Sequence, residues 1–323
     1  MLQILLITFP FFALVLCGYL AARWRVLPLP AVSGLNSFVL FFALPCMLYR
    51  FGAMTPIAQL LDTGVVFTWS VAALIVVALA VAISRNPRIG WNDAAFGALV
   101  AAFPNTGFMG VPLLVALLGP QAAGPVILTM VIDMVLTTSL CIALSRLDGA
   151  DQHGARKAFG KALRGVLTNP LPWAILLGAL SSMLQFELPK PVAQTVGMLA
   201  DAASPVALFT IGAVLARSQM LALEQGHAPI PGRDFLPVAA IKLLAHPLLV
   251  LLVGTLAIKS GLPLGQSAFT TIVLAAALPS ASNVSLLAER FGADNGRIAR
   301  IILVSTAAAF LTFSLAVSLR LSV

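Results

Sequence analysis

Along most of this chain apolar residues follow one another without the alternation of a half-buried strand or the one-sided rhythm of a soluble amphipathic helix. Uninterrupted runs of that kind read as helices that are apolar on every side. They fall at about 2–22, 34–52, 63–84, 93–118, 124–146, 168–186, 192–217, 236–258, 266–290 and 298–319, each close to the roughly 20 residues that cross a hydrocarbon layer. The pattern predicts an all-α polytopic membrane protein with ten transmembrane helices. Two of the runs, the fourth and the ninth, are broken near their middles, one by Pro104-Asn105-Thr106 and the other by Pro279 with Asn283. A helix that stops and restarts inside a bilayer leaves backbone N–H and C=O groups where lipid cannot satisfy them. Such breaks survive only beside a protein-lined cavity.

Composition and charge sharpen this picture. Hydrophobic residues make up 60% of the 323 positions and charged residues only 9%, with a mean hydropathy of +1.03, so there is too little polar surface to cover a soluble globule. The net charge of +8 does not point to nucleic acid, because the basic residues sit in short loops between apolar runs and not on one face with interleaved aromatics. They report topology instead. With both termini outside, the inner loops carry 14 Lys or Arg residues (Arg23, Arg25, Arg85, Arg88, Arg146, Arg156, Lys157, Lys161, Arg164, Arg217, Arg233, Arg290, Arg297 and Arg300), and the outer side carries 4 (Arg50, Lys190, Lys259 and Arg320). That bias is the one the positive-inside rule requires of a cytoplasmic face. The first run has no positively charged leader segment and is followed by Arg23 and Arg25, which suits a retained span. The expected location is a bacterial inner membrane, crossed many times.

Five spans per half is an odd number, so a duplicated half enters the membrane in the opposite sense. Ala43-Leu44-Pro45 with Gly52 is echoed by Ala203-Ser204-Pro205 with Gly212, and Phe96, Leu113-Leu114 and Gly119 by Phe269, Leu286-Leu287 and Gly292. The expected organisation is therefore a first inverted repeat over 1–147, a cytoplasmic loop over 148–167 and a second inverted repeat over 168–323. Inverted repeats let a fixed midplane site face either side by rocking one bundle against another, so the paired breaks point to transport.

The stretch Phe103-Pro104-Asn105-Thr106-Gly107-Phe108-Met109-Gly110-Val111-Pro112-Leu113-Leu114, ending in Gly119, resembles the fourth-span crossover of the auxin efflux carrier family, whose bacterial members include malonate transporters. Ala277-Leu278-Pro279, followed by Leu286-Leu287-Ala288-Glu289-Arg290-Phe291-Gly292, is similar to the family's ninth-span crossover, and Asp201-Ala202 leading through Leu208-Phe209 to Gly212 to its seventh span. The resemblance covers nearly the whole chain. It implies two inverted five-helix repeats, a mobile bundle working against a scaffold, and crossing broken helices 4 and 9 at the substrate site. The chain departs from plant members in having no long central loop and in the polar run Ser280-Ala281-Ser282-Asn283-Val284-Ser285. That argues against the plant hormone as substrate.

Several side chains carry candidate chemistry. Where a helix restarts after a break, its first N–H groups are unpaired and carry about half a positive charge, a seat for a carboxylate. Asn105 and Asn283 either hold substrate oxygens or close the orphan backbone groups of the breaks. Pro104 and Pro279 flank them, and Thr106, Ser280, Ser282 and Ser285 are weaker candidates, because a hydroxyl in a span usually bonds back to its own helix. Pro45 and Pro205 kink their spans at matched positions, which places Cys46 and Val206 near the same point. Cys17, Cys46 and Cys141 have no metal-ligand spacing and read as small apolar packing residues. Asp133, in the middle of the fifth span, is the first candidate to carry a proton or cation or to touch a polar substrate; the bland alternative is a hydrogen bond to a neighbouring break. Asp201 and Lys242 either contribute to ion coupling or pair with each other or snorkel to the interface. His246 either relays protons or is structural. Asp62, Asp93 and Glu289 read as solvated charges near the interfaces.

Intramembrane aspartyl proteases need Gly-x-Gly-Asp and acyltransferases His-x4-Asp; neither motif occurs, and His153, His227 and His246 have no clustered metal spacing. No enzyme activity, cofactor or metal is expected. A secondary carrier of a small organic anion, a carboxylate or dicarboxylate such as malonate or an auxin-like acid, is expected, with proton or sodium coupling. An anion-conducting channel or a non-transporting sensor is the alternative. The expected partners are the substrate anion and the lipid bilayer, with no nucleic acid, and a homodimer is compatible with the pattern.

Overall fold

In the computed structural model, which describes residues 2–54, 62–147, 170–224 and 230–321, every regular element is a helix. The expected loop over 148–167, with His153, and also His227 lie outside the described residues. Twelve helical segments are described: α1 (Leu2–Arg23), α2 (Ala31–Met54), α3 (Thr63–Ser84), α4 (Trp91–Ala102), α5 (Thr106–Leu118), α6 (Pro120–Leu144), α7 (Pro170–Met183), α8 (Lys190–Glu224), α9 (Gly232–Lys259), α10 (Gln266–Ala276), α11 (Asn283–Arg290) and α12 (Asn295–Leu321). Six of them, α2, α3, α6, α8, α9 and α12, contain stretches long and apolar enough to cross a membrane alone. The chain is an α-helical polytopic membrane protein.

The outward faces show what solvent they expect. Leu248, Leu252 and Leu256 form an exposed stripe on α9, and Leu311, Leu315 and Leu319 another on α12. Such four-residue stripes of leucine suit acyl chains and would be unsupported in water. The interior is packed with smaller groups: Ala94 to Ala102 on α4 are buried without exception, as are Thr271 to Ala276 on α10. These two short helices are the innermost of the fold, enclosed by α3, α6, α9 and α12.

The remaining long helices pair off. α1 runs along α8, and α7 along α2, with α2 and α8 also in contact. Hydrophobicity does not choose partners among helices in lipid, so close backbone approach does. A Cβ on Gly18 would lie 1.8 Å from the carbonyl oxygen of Phe209, and one on Gly212 would lie 1.8 Å from that of Val15. At the other pair, Gly178 faces the Tyr49 carbonyl at 2.3 Å and Gly52 that of Ile175 at 2.7 Å. Both members of the second pair are related to the first by a shift of 160 residues (18 to 178, 52 to 212). This is the same shift that relates Pro45 to Pro205.

Charged residues near the interfaces are more engaged than the sequence suggests. Asp62 caps α3 by accepting from the Val65 N–H at 3.0 Å. Arg297, read from the sequence as a loop charge, is buried: its Nε donates to the Asp234 carbonyl at 2.7 Å and its Nη1 to the Asp93 carbonyl at 2.8 Å. Asp93 itself accepts from the Asp294 N–H at 2.7 Å. The starts of α4, α9 and α12 are thereby tied to one guanidinium, the two carbonyls each accepting from Arg297 through a second lone pair.

Candidate functional site

The two breaks meet. α4 ends at Ala102 and α10 at Ala276, and the extended residues that follow pair antiparallel, Pro104 opposite Ser280. The Asn105 N–H donates to the Pro279 carbonyl at 2.8 Å, and the Ala281 N–H to the Phe103 carbonyl at 2.9 Å. Each break thus satisfies backbone groups that the other leaves open. Pro104 and Pro279 supply the interruption because neither has an N–H to continue a helix.

After the first break the chain restarts as a π-helical turn over Thr106–Gly110, in which the Asn105 carbonyl accepts from Gly110 at 2.9 Å and Met109 at 3.2 Å. The N–H groups of Gly107 and Phe108 come before Met109, the first to find an intrahelical acceptor, so among the described residues they are the free donors of this helix end. Gly107 and Phe108 line a narrow cavity of about 20 Å³ with Pro104, Asn105 and Asn283, closed by Leu40 and Leu44 of α2, Met130 and Met134 of α6, and Leu171 of α7. That is the room of about one water molecule. A second cavity of about 10 Å³ lies beyond Phe108, lined by Ser282, by Asn36 of α2 and by Ala207, Thr210 and Ile211 of α8. The breaks therefore face α2, α7 and α8 across a nearly closed seam.

Neither asparagine caps a helix: no side-chain bond is made at the start of α5 by Asn105, nor at the start of α11 where Ser282 stands before Asn283. Asn105 is buried and Asn283 half-buried, both on the cavity wall. Pro279 contributes its carbonyl to the crossing, while the Ser280 N–H reaches Ser305 Oγ at 3.3 Å and the Ser280 hydroxyl is buried without a partner among the described residues. Thr106 is buried, its hydroxyl 3.5 Å from the Pro104 carbonyl. Cys46 and Val206 line neither cavity; Leu40 and Leu44 before the one, and Ala207 and Thr210 after the other, take that place.

A second buried polar cluster lies behind the crossing. Asp133 opens a π-helical turn of α6, is fully buried, and its Oδ1 accepts from Trp69 Nε1 of α3 at 3.0 Å and from the Thr137 hydroxyl at 2.9 Å; Oδ2 has no partner among the described residues. The Trp69 ring lies against that of His246, with centroids 5.2 Å apart. His246 Nδ1 is 3.0 Å from Lys242 Nζ, and Lys242 donates to the Ala276 carbonyl at 2.8 Å. Lys242 and Asp133 are within electrostatic reach of each other. Lys242 too sits in a π-helical turn, Ile241–Ala245; such turns are frequent at functional positions. The pairing of Lys242 with Asp201 does not form: Asp201 is exposed on α8 and binds Arg50 of α2 at 2.6 Å. Asp133 faces α3, so the α6 residues that reach the cavity are Met130 and Met134.

Sequence reading missed Trp69 and Thr137 as partners of Asp133. Thr137 was findable, since it lies one helical turn after Asp133. Trp69 was not, since it stands 64 residues before Asp133 on a different helix and meets it only in the packed fold.

Residues 4–317 match the family described as "Membrane transport protein". The chain belongs to that membrane transport family. Among relatives of this transporter, the "Putative malonate transporter" of Rhizobium meliloti (strain 1021) is 30% identical over 301 residues, covering 92% of this chain and 89% of the relative. An uncharacterized transporter of Escherichia coli K12 is 25% identical over 295 residues, 87% of this chain and 86% of that one. Auxin efflux carrier component 8 of Arabidopsis thaliana is 24% identical over 267 residues, 65% of this chain and 71% of that protein. The protein is a membrane transporter and not an enzyme.

Proposed function

We propose that this transporter is a secondary carrier of a small organic anion, a mono- or dicarboxylate such as malonate, working by alternating access at the crossing of the two breaks. The observation that carries the reading is the reciprocal bonding of Asn105 to Pro279 and Ala281 to Phe103. It brings a helix start with free N–H donors, and two asparagine amides that cap nothing, onto one cavity wall. A carboxylate there would gain the helix-end dipole and oriented donors at once. The name of the Rhizobium relative agrees with a dicarboxylate.

In this reading the chain has ten spans in two inverted repeats, 1–147 and 168–323, with α1, α2, α7 and α8 as one bundle and the crossing helices with their neighbours as the other. The constant shifts within the two bundles, 160 residues and 173 (Phe96 to Phe269 and Gly119 to Gly292), support it. The narrowness of both cavities fits an occluded conformation, which rocking of the bundles would open to either side. Both termini face the outside of a bacterial inner membrane, as the loop charges require. Asp133 couples transport to a proton or sodium gradient.

Uptake of radiolabelled carboxylates into proteoliposomes tests the proposal. Saturable malonate uptake that is competed by other small dicarboxylates is the expected result; conductance without saturation would replace the carrier by a channel.

A further inference from the structure

Lys242 holds a position that the carrier chemistry leaves unexplained. Its ammonium lies, fully buried, at the C-terminal end of the half-helix α10, donating to the carbonyl of Ala276, the last residue before the second break. The last carbonyls of a helix lack intrahelical partners and carry about half a negative charge. In carriers built from discontinuous helices, such ends are where coupling cations are coordinated. Around the ammonium stand His246 Nδ1 at 3.0 Å and, within electrostatic reach, the carboxylate of Asp133. The carbonyl oxygen and the ring nitrogen meet the ammonium directly and the Asp133 carboxylate acts on it electrostatically, which makes a seat for a small monovalent cation with the Lys242 side chain already in the place.

We propose that the Lys242 ammonium is a tethered cation that fills the cation seat at the end of α10, so that the carrier needs no sodium there. The inference rests on the carrier reading above and names the ion requirement of that same site. It also accounts for the neighbourhood: Trp69 of α3 lies against the His246 ring and donates to Asp133 of α6, whose carboxylate acts on the ammonium electrostatically. An unpaired buried ammonium would be costly without these contacts.

The test compares the parent protein with Lys242→Ala and Lys242→Met, purified in detergent and reconstituted. In the parent, malonate uptake and the unfolding temperature are expected to be unchanged when sodium is exchanged for choline at equal ionic strength. Lys242→Ala is expected to lose uptake at least tenfold and to regain it, with a rise in unfolding temperature, on addition of sodium or methylammonium. Lys242→Met keeps the seat filled with an uncharged chain and is expected to be inactive and unrescued. A sodium requirement in the parent, parent-like uptake by both variants, or a folded Lys242→Ala protein that responds to neither cation would overturn the proposal. If the parent does not take up malonate, the carboxylate reading fails, and the unfolding temperatures still decide the role of Lys242.

Discussion

The guanidinium of Arg297 occupies the space beside Gly97: a Cβ on that glycine would lie 2.7 Å from Nη1. The α4 position is therefore a glycine because the arginine must pass it to reach the carbonyls of Asp93 and Asp234. Gly97→Ala should push the guanidinium aside and leave its buried N–H donors without acceptors, at about 1–3 kcal/mol for each left unsatisfied. A fall of several degrees in unfolding temperature, matched by Arg297→Ala and not exceeded by the double variant, is expected from thermal unfolding in detergent. Additive losses would show that the two residues act separately.

Asn105→Ala and Asn283→Ala should behave differently from a destabilising pair, because neither amide caps a helix. Each is expected to weaken carboxylate affinity about tenfold or more, the scale of a hydrogen bond to a charged group, while leaving the unfolding temperature near that of the parent. Competition uptake gives the affinities. Unchanged affinity in both variants would remove the amides from the site.

Asp133→Asn keeps the size of the side chain and removes its charge. The response of uptake to pH is expected to flatten, and Trp69→Phe, which deletes the indole donor to Oδ1, should alter it in the same direction. Initial rates measured across pH with and without sodium settle the matter: an identical response in Asp133→Asn would end its role as carrier.

Four glycines make the helix pairs possible, and alanine at any of them meets backbone that cannot swing away. Gly18→Ala, Gly212→Ala, Gly178→Ala and Gly52→Ala should each cost about 1–3 kcal/mol or more through overpacking. Gly34→Ala, with nothing within 4 Å of the added carbon, is the control and should be neutral. Equal unfolding temperatures across all five would mean that these contacts do not hold the bundle.

Much of this was legible in the residues themselves. Runs of apolar side chains dictate helices wherever lipid is the solvent, and Pro104 and Pro279 dictate where two of them stop, since a missing N–H is a local fact. The polar character of Asn105, Asn283 and Asp133 inside apolar runs marked them as candidates for the same local reason. Partner choice was not legible. Arg297 reads as a loop charge and is buried, and Lys242 could have met Asp201 by position yet binds Ala276 and His246.

By itself, then, the sequence determined the helices, their breaks and the polar groups placed in them, because those follow from the cost of each residue in a hydrocarbon layer. Only the tertiary structure decided that Asn105 meets Pro279, that Gly18 meets Phe209 and that Lys242 closes the end of α10. The physical reason is that lipid chains are as apolar as the helix surfaces, so hydrophobicity cannot sort one helix from another. The sorting falls to close backbone contacts and to buried polar groups that need partners, and these are found only when the whole chain is packed.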